Sequence, residues 1–202
     1  MESKLDFETI YQTYFLKIRG YLSMLIGPYY AEDLAQEVFN RASAHLGDLK
    51  DQTKLSTWLY RIATNAAIDQ TRTASFRHAD KSVDEDHAKT VHDRNVWTGK
   101  KSSPTDLKLI KEEMRTCVQE FIGRLPEDYR SILILKEYEE KSNKEIAEIL
   151  DLTLPAVKIR YHRAKNLLKK ELDAGCDFFY DDENRLLCDR KPASFIRKKI
   201  SE

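Results

Sequence analysis

The stretch Ser142-Asn-Lys-Glu-Ile-Ala-Glu-Ile-Leu-Asp-Leu-Thr-Leu-Pro-Ala-Val-Lys-Ile-Arg-Tyr-His-Arg-Ala-Lys-Asn-Leu-Leu-Lys-Lys170 decides how this chain is read. Ser142 and Glu145 have the spacing of a capping box, in which the Ser142 hydroxyl accepts from the Glu145 amide while the Glu145 carboxylate reaches back. A short helix therefore starts there and buries Ile146, Ala147, Ile149 and Leu150. Asp151-Leu152-Thr153 then makes a turn, and Thr153 is placed to cap a second helix with Pro155 in its first turn. Such turns often carry Gly where this chain has Asp151, and Asp tolerates left-handed backbone angles better than most residues. The pattern predicts a helix-turn-helix, with Ala147 small enough for close helix approach and Leu152, Val157, Tyr161, Ala164 and Leu168 as the inward stripe of the second helix. Its other face is basic: Lys158, Arg160, Arg163, Lys165, Lys169 and Lys170 occur between Leu152 and Lys170 with no acid among them. In this motif the second helix enters the major groove, its first residues facing base edges and its flanking cations holding phosphates. On that geometry Thr153, Pro155, Ala156, Lys158 and Arg160 stand nearest the bases, and His162, Arg163 and Lys165 nearest the phosphates.

Helical periodicity continues on either side. Before the motif, Leu109, Ile110, Met114, Cys117, Val118, Phe121, Ile122 and Leu125 form one stripe, on which Cys117 reads as a small buried hydrophobe. A further helix opens at Pro126 and packs Tyr129, Ile132, Leu133 and Leu135. Toward the N-terminus, Phe7, Ile10, Tyr11, Tyr14, Phe15, Ile18, Leu22 and Leu25 predict a helix ending at Gly27-Pro28. Leu34, Val38, Phe39, Ala42 and Leu46 predict a second, and Trp58, Leu59, Ile62, Ala63 and Ala66 a third, with Trp58 in the core. The polar connection from Gly47 to Thr57 reads as exposed. Periodicity disappears between about Thr73 and Ser103, which marks a linker whose Trp97 is its one large apolar residue and whose His78, His87 and His92 read as solvated. The expected architecture is all-α: two small helical domains, 1–75 and 107–173, joined by a flexible linker over 76–106, with a C-terminal extension over 174–202.

Composition excludes several classes. Among 202 residues Gly and Pro number 11, charged residues make up 34% against a typical ~25%, and 34 basic side chains balance 34 acidic ones. Mean hydropathy is −0.61. No apolar run approaches the ~18 residues that span a bilayer, and Met1-Glu-Ser-Lys-Leu-Asp6 lacks a signal-peptide pattern, so a cytoplasmic protein without membrane insertion is expected. Three cysteines do not suggest a disulfide scaffold. No nucleophile and base pair, Gly-rich phosphate loop or Cys-x2-Cys motif is present, so neither an enzyme nor a cofactor is expected.

Leu125-Pro-Glu-Asp-Tyr-Arg130, Lys144-Glu-Ile-Ala-Glu-Ile-Leu150 and Val157-Lys-Ile-Arg-Tyr-His-Arg-Ala164 resemble the C-terminal, promoter-reading domain of bacterial RNA polymerase sigma factors of the extracytoplasmic-function (ECF) group. Ala31-Glu-Asp-Leu-Ala-Gln-Glu-Val-Phe-Asn-Arg-Ala42 and Trp58-Leu-Tyr-Arg-Ile-Ala-Thr-Asn-Ala-Ala-Ile-Asp69 resemble that family's other domain, in the family's order. The resemblance covers roughly residues 5 to 173. It implies a monomeric initiation subunit that binds core RNA polymerase and gives it promoter choice. It also implies as partners the clamp helices of the largest subunit, the flap of the second-largest, promoter DNA and an anti-sigma factor. Asp33, Gln36, Glu37 and Arg41 fall on the family's core-binding helix, and all lie off the apolar stripe. Gly47 to Ser56 and Trp58 to Arg72 match the family's −10 melting surface. There Asn65 matches the position that meets a flipped base, with Ser56, Asp69 and Arg72 nearby; an amide both donates and accepts, as reading a base edge requires. Asp69 has an equal structural reading, a cap or an i, i+3 partner of Arg72. The rival reading is a freestanding helix-turn-helix repressor or activator.

The minimal two-domain form of this family would stop near Asp173. Here Cys176-Asp-Phe-Phe-Tyr-Asp-Asp-Glu-Asn-Arg-Leu-Leu-Cys188 follows and reads as a β-hairpin around an Asp-Glu-Asn turn. Whether Cys176 and Cys188 share a face depends on register. Three readings stay open: a packing appendage, redox sensing by a reversible disulfide, and a metal site completed by Asp177, Asp189 or a distant His.

Overall fold

The computed structural model describes residues 6–73 and 104–191, the side chains of 104–113 excepted. The body of the expected linker, including His78, His87, His92 and Trp97, lies outside the described residues. The chain forms two compact units, one holding described residues 6–73 and 134–154, the other 104–133 and 155–191.

In the first unit, α1 (Phe7–Ile26) starts at Asp6, whose carboxylate accepts from the Thr9 amide at 3.3 Å. Gly27, at φ 91°, takes the chain from α1 into α2 (Pro28–His45), with Pro28 at the first helical position. A side chain is disfavoured at that φ, and proline's missing N–H costs nothing there. Two 3₁₀ turns, Leu46–Asp48 and Gln52–Lys54, lead into α3 (Leu55–Arg72). The Asp51 carboxylate accepts from the amide and hydroxyl of Thr53 at 2.9 and 2.6 Å, and these bonds hold its pKa below the usual carboxylate range. This connection is not exposed throughout: Leu55 and Thr57 are buried.

Ile18, Tyr21, Leu22 and Leu25 of α1, Leu34, Ala35, Val38 and Phe39 of α2, and Leu59, Tyr60, Ala63 and Ala67 of α3 make the core. Phe7, Tyr11 and Phe15 surround the Phe39 ring at centroid distances of 6.4, 5.1 and 5.7 Å. The Tyr21 and Thr64 hydroxyls are 2.8 Å apart inside this core, and Thr64 donates to the Tyr60 carbonyl at 2.7 Å, so these two buried hydroxyls are satisfied. Trp58, expected in the core, is only half-buried.

The remainder of this unit is a π-helical turn, Ile134–Tyr138, and α6 (Asn143–Leu150). The Glu139 amide reaches the Ile134 carbonyl at 3.1 Å, closing the wide turn, and Glu140 takes φ 51° as the chain leaves it. The expected capping box is complete: the Glu145 amide donates to Ser142 Oγ at 3.2 Å and the Ser142 amide to Glu145 Oε2 at 2.8 Å. These bonds favour the ionised carboxylate and hold Glu145 below its ordinary pKa. Asp151 takes the left-handed conformation at φ 52°, ψ 50° that its position requires.

The second unit contains α4 (Pro104–Gly123), α5 (Glu127–Leu133), α7 (Leu154–Gly175, from Pro155 onward), β1 (Cys176–Tyr180) and β2 (Leu186–Arg190). Arg130 donates to the Leu125 carbonyl at 3.0 and 3.3 Å, tying the α4–α5 corner. The two strands form an antiparallel hairpin. Asp181 organises its turn, accepting from the amides of Glu183 and Arg185 and from Arg185 Nε at 2.6 Å. No helix among the described residues is long and apolar enough to cross a membrane.

Candidate nucleic-acid interface

Helix α7 carries the expected basic face. Val157 and Ala164 are buried, whereas Leu152, Tyr161 and Leu168, expected to face inward with them, are half-buried. Pro155, Lys158, His162, Arg163, Lys165, Lys169 and Lys170 are exposed, as is Thr153 just before the helix; Ala156 is half-buried. Arg160 is half-buried and lies 3.5 Å from Asp128, and Lys165 Nζ stands 4.7 Å from the centre of the Tyr161 ring. His162 shares a 3.3 Å hydrogen bond with Asn166. Sequence reasoning passed over Ile159, which is 54% exposed in the middle of this face. The signal was available, because 159 follows Pro155 by four and precedes His162 by three.

On α3, Asn65, Asp69 and Arg72 are exposed at spacings of four and three, which puts them on one face. Half-buried Trp58 and exposed Arg61 continue that face toward the helix start, so Trp58 adds an aromatic surface to it. Ser56 differs. Its hydroxyl accepts from Lys141 Nζ at 2.6 Å, and the same ammonium lies 4.6 Å from the Tyr60 ring centre. The Tyr60 hydroxyl donates to Glu139, and Lys54 Nζ meets both Glu148 oxygens at 2.9 and 3.0 Å. Residues 139–148 therefore sit over the beginning of α3. Burial first, then the Glu139 carboxylate, raises the Tyr60 pKa well above that of free tyrosine.

Asp33, Gln36, Glu37 and Arg41 are all exposed on α2, with Glu37 and Arg41 in contact one turn apart. In the hairpin Cys176 is buried and Cys188 half-buried. Cys117, expected as a buried hydrophobe, is instead half-buried with its sulfur 3.9 Å from that of Cys176. Fifty-nine residues separate the two, and no local pattern announces that meeting.

Two family models match this chain in order: Sigma-70 region 2 over residues 10–77 and Sigma-70, region 4 over residues 115–168. The ECF RNA polymerase sigma factor SigW of Bacillus subtilis is 37% identical over 150 residues, 74% of this chain and 79% of that protein. The chain belongs to the ECF sigma factors. It therefore binds core RNA polymerase and directs promoter-specific transcription initiation. The RNA polymerase sigma-H factor of Pseudomonas aeruginosa is also similar to this sigma factor, at 32% identity over 70% of this chain and 72% of that one. The sigma factor RpoE of Bartonella quintana, solved with the anti-sigma factor NepR, shares the fold at a TM-score of 0.58 and 22% identity, covering 83% of this chain and 97% of that one. CnrH, solved with the cytosolic domain of CnrY, does so at 0.56 and 22%, covering 83% and 88%.

Proposed function

We propose that the two halves of this sigma factor divide promoter recognition, residues 1–75 holding the polymerase and the −10 element and residues 107–173 reading the −35 element across the 76–106 linker. The observation that carries this reading is the basic face of α7 between Lys158 and Lys170, a stretch without an acid, following a complete capping box and a left-handed Asp151. Thr153, Pro155, Ala156, Lys158 and Arg160 face base edges in the major groove, and His162, Arg163 and Lys165 hold phosphates. Ile159 adds an apolar contact suited to a thymine methyl group. For Arg160 to reach DNA it exchanges its Asp128 partner for a base or phosphate.

Asn65 reads a flipped −10 base by its amide while Trp58 offers a stacking surface, with Asp69 and Arg72 beside them. Ser56 joins this surface once Lys141 has left it. Asp33, Gln36, Glu37 and Arg41 bind the clamp helices of the largest polymerase subunit, and the C-terminal half meets the flap of the second-largest. The sigma factor acts as a cytoplasmic monomer, performs no catalysis of its own, and has an anti-sigma factor as its regulator.

The test mixes the purified chain with bacterial core RNA polymerase, follows complex formation by size exclusion, and maps transcript starts on fragmented genomic DNA. A stoichiometric complex with discrete starts is expected. Loss of core binding in Arg160→Glu, in place of loss of −35 recognition alone, would overturn the division of roles.

A further inference from the structure

Promoter recognition leaves the three thiols of the second unit unused. Gly175, the last residue of α7, is packed so closely that an added Cβ would lie 2.3 Å from Phe121 Cζ. This approach sets the root of the hairpin against α4 and places Cys176 Sγ 3.9 Å from Cys117 Sγ. The pairing of Cys176 with Arg190 and of Phe178 with Cys188 puts Cys176 and Cys188 on one face, but diagonally rather than opposite. Diagonal Cα atoms in an antiparallel pair stand ~7–8 Å apart, outside the ~4.4–6.8 Å that disulfides span, although the Cys188 thiol also lies within hydrogen-bond reach of Cys176. Between Cys117 and Cys176, by contrast, closing to a bond requires the sulfurs to approach by roughly 2 Å, within reach of side-chain rotation. Among the described residues no group of three His, Cys, Asp or Glu side chains is arranged to hold a metal ion.

We propose that Cys117 and Cys176 form a reversible thiol–disulfide pair, closed by a hydroperoxide and reopened by a small dithiol, with Cys188 remaining a free thiol beside them. Cys117 is half-buried and Cys176 buried, so the oxidant meets Cys117 first. Its sulfur, on losing the thiol proton, attacks the outer peroxide oxygen; the O–O bond breaks, the alcohol leaves with a proton, and Cys117 becomes a sulfenic acid. The Cys176 sulfur then attacks that sulfur, the S–O bond breaks, and hydroxide departs as water with the Cys176 proton. Two thiols lose two electrons in all, and one hydroperoxide becomes one alcohol and one water. Burial and the neighbouring Cys117 push the Cys176 thiol up to about 12, and burial also raises Cys188, so Cys176 keeps its proton until it attacks the Cys117 sulfenic acid. The bond joins the end of α7 to α4 and rests on this geometry alone, whatever DNA element α7 reads.

The experiment treats the full chain with hydrogen peroxide, titrates free thiols, and maps peptides without reduction. Loss of two of the three thiols and a Cys117–Cys176 linked peptide, both reversed by dithiothreitol, are expected. The same link persists in Cys188→Ser and is absent in Cys117→Ala, a half-buried helical position where folding is confirmed by circular dichroism. A Cys176–Cys188 link, links only between molecules, sulfinic acid without a disulfide, or three thiols surviving peroxide would each overturn the proposal.

Discussion

Helices α3 and α7 present two different surfaces. Between Leu55 and Arg72, α3 carries Arg61 and Arg72 against Asp69, a net charge of +1. From Leu154 to Gly175, α7 carries six cations against Glu171 and Asp173, a net charge of +4. The outward face of α3 presents an amide and half an indole, with residues 139–148 over its first turns; that of α7 presents ammonium and guanidinium groups to solvent. The difference suits two kinds of readout. Duplex recognition draws affinity from phosphate neutralisation, whereas single-stranded recognition adds to that term the stacking of bases on aromatic side chains and hydrogen bonds to their edges.

The largest expected effect breaks that contrast on the α7 side. Replacing Lys158, Arg163 and Lys165 together by Ala should weaken binding of the holoenzyme to −35 duplex DNA and flatten the salt dependence of log K by roughly 0.9 for each phosphate no longer neutralised. An unchanged slope in a filter-binding titration would show that these cations do not face DNA. Asn65→Ala comes next. Removing the amide proposed to read a base should cost about 1–3 kcal/mol in open-complex formation at promoters that depend on the −10 base, with the salt slope unaltered. Permanganate footprinting of unpaired thymines measures it directly, and an equal loss at promoters varied at that base would remove Asn65 from the role.

Much of this contrast is legible in the sequence. The capping box at Ser142, the left-handed turn at Asp151, the Gly27-Pro28 break and the basic face of α7 are all local, set by residues within about four positions of each other, and each formed as read. The partial cover of α3 is not legible there. It depends on Lys141 meeting Ser56 across 85 residues and Glu148 meeting Lys54 across 94, pairings that periodicity does not encode. Trp58 departs from expectation for a related reason: an aromatic residue on a helical stripe reads as core, yet the face it shares with Asn65 lies outward. Cys117 does so in the same way, because a cysteine on an apolar stripe looks inert until the fold brings another sulfur to it.

A smaller effect is expected at Ile159. Truncation to Ala at this exposed position should leave stability almost unchanged, since it removes little buried surface. Affinity should fall by about 1 kcal/mol only where a thymine methyl lies opposite, at the low end of what a base contact contributes to discrimination. Competition between −35 sequences carrying thymine and uracil at each position reads this out. The variant should lose discrimination at one position where the wild type shows it.

The smallest effect at neutral pH is expected at Tyr60, where the cover meets α3. Tyr60→Phe removes the hydroxyl that donates to Glu139 and should cost about 1 kcal/mol. Its pH dependence carries more information. The Tyr60 pKa is raised in the folded protein, so between the unfolded value near 10 and the higher folded value the native state keeps a proton that the unfolded chain has released. This stabilisation is fully present below pH 10 and is lost as pH climbs above it, because the unfolded chain gains by ionising before the folded one does. Urea titrations from pH 8 to 11 should therefore show wild-type stability declining more steeply than that of Tyr60→Phe on the alkaline side, with the two curves parallel below pH 9. Parallel curves throughout would mean that Tyr60 ionises freely in the native protein, and hence that residues 139–148 leave α3 uncovered for much of the time.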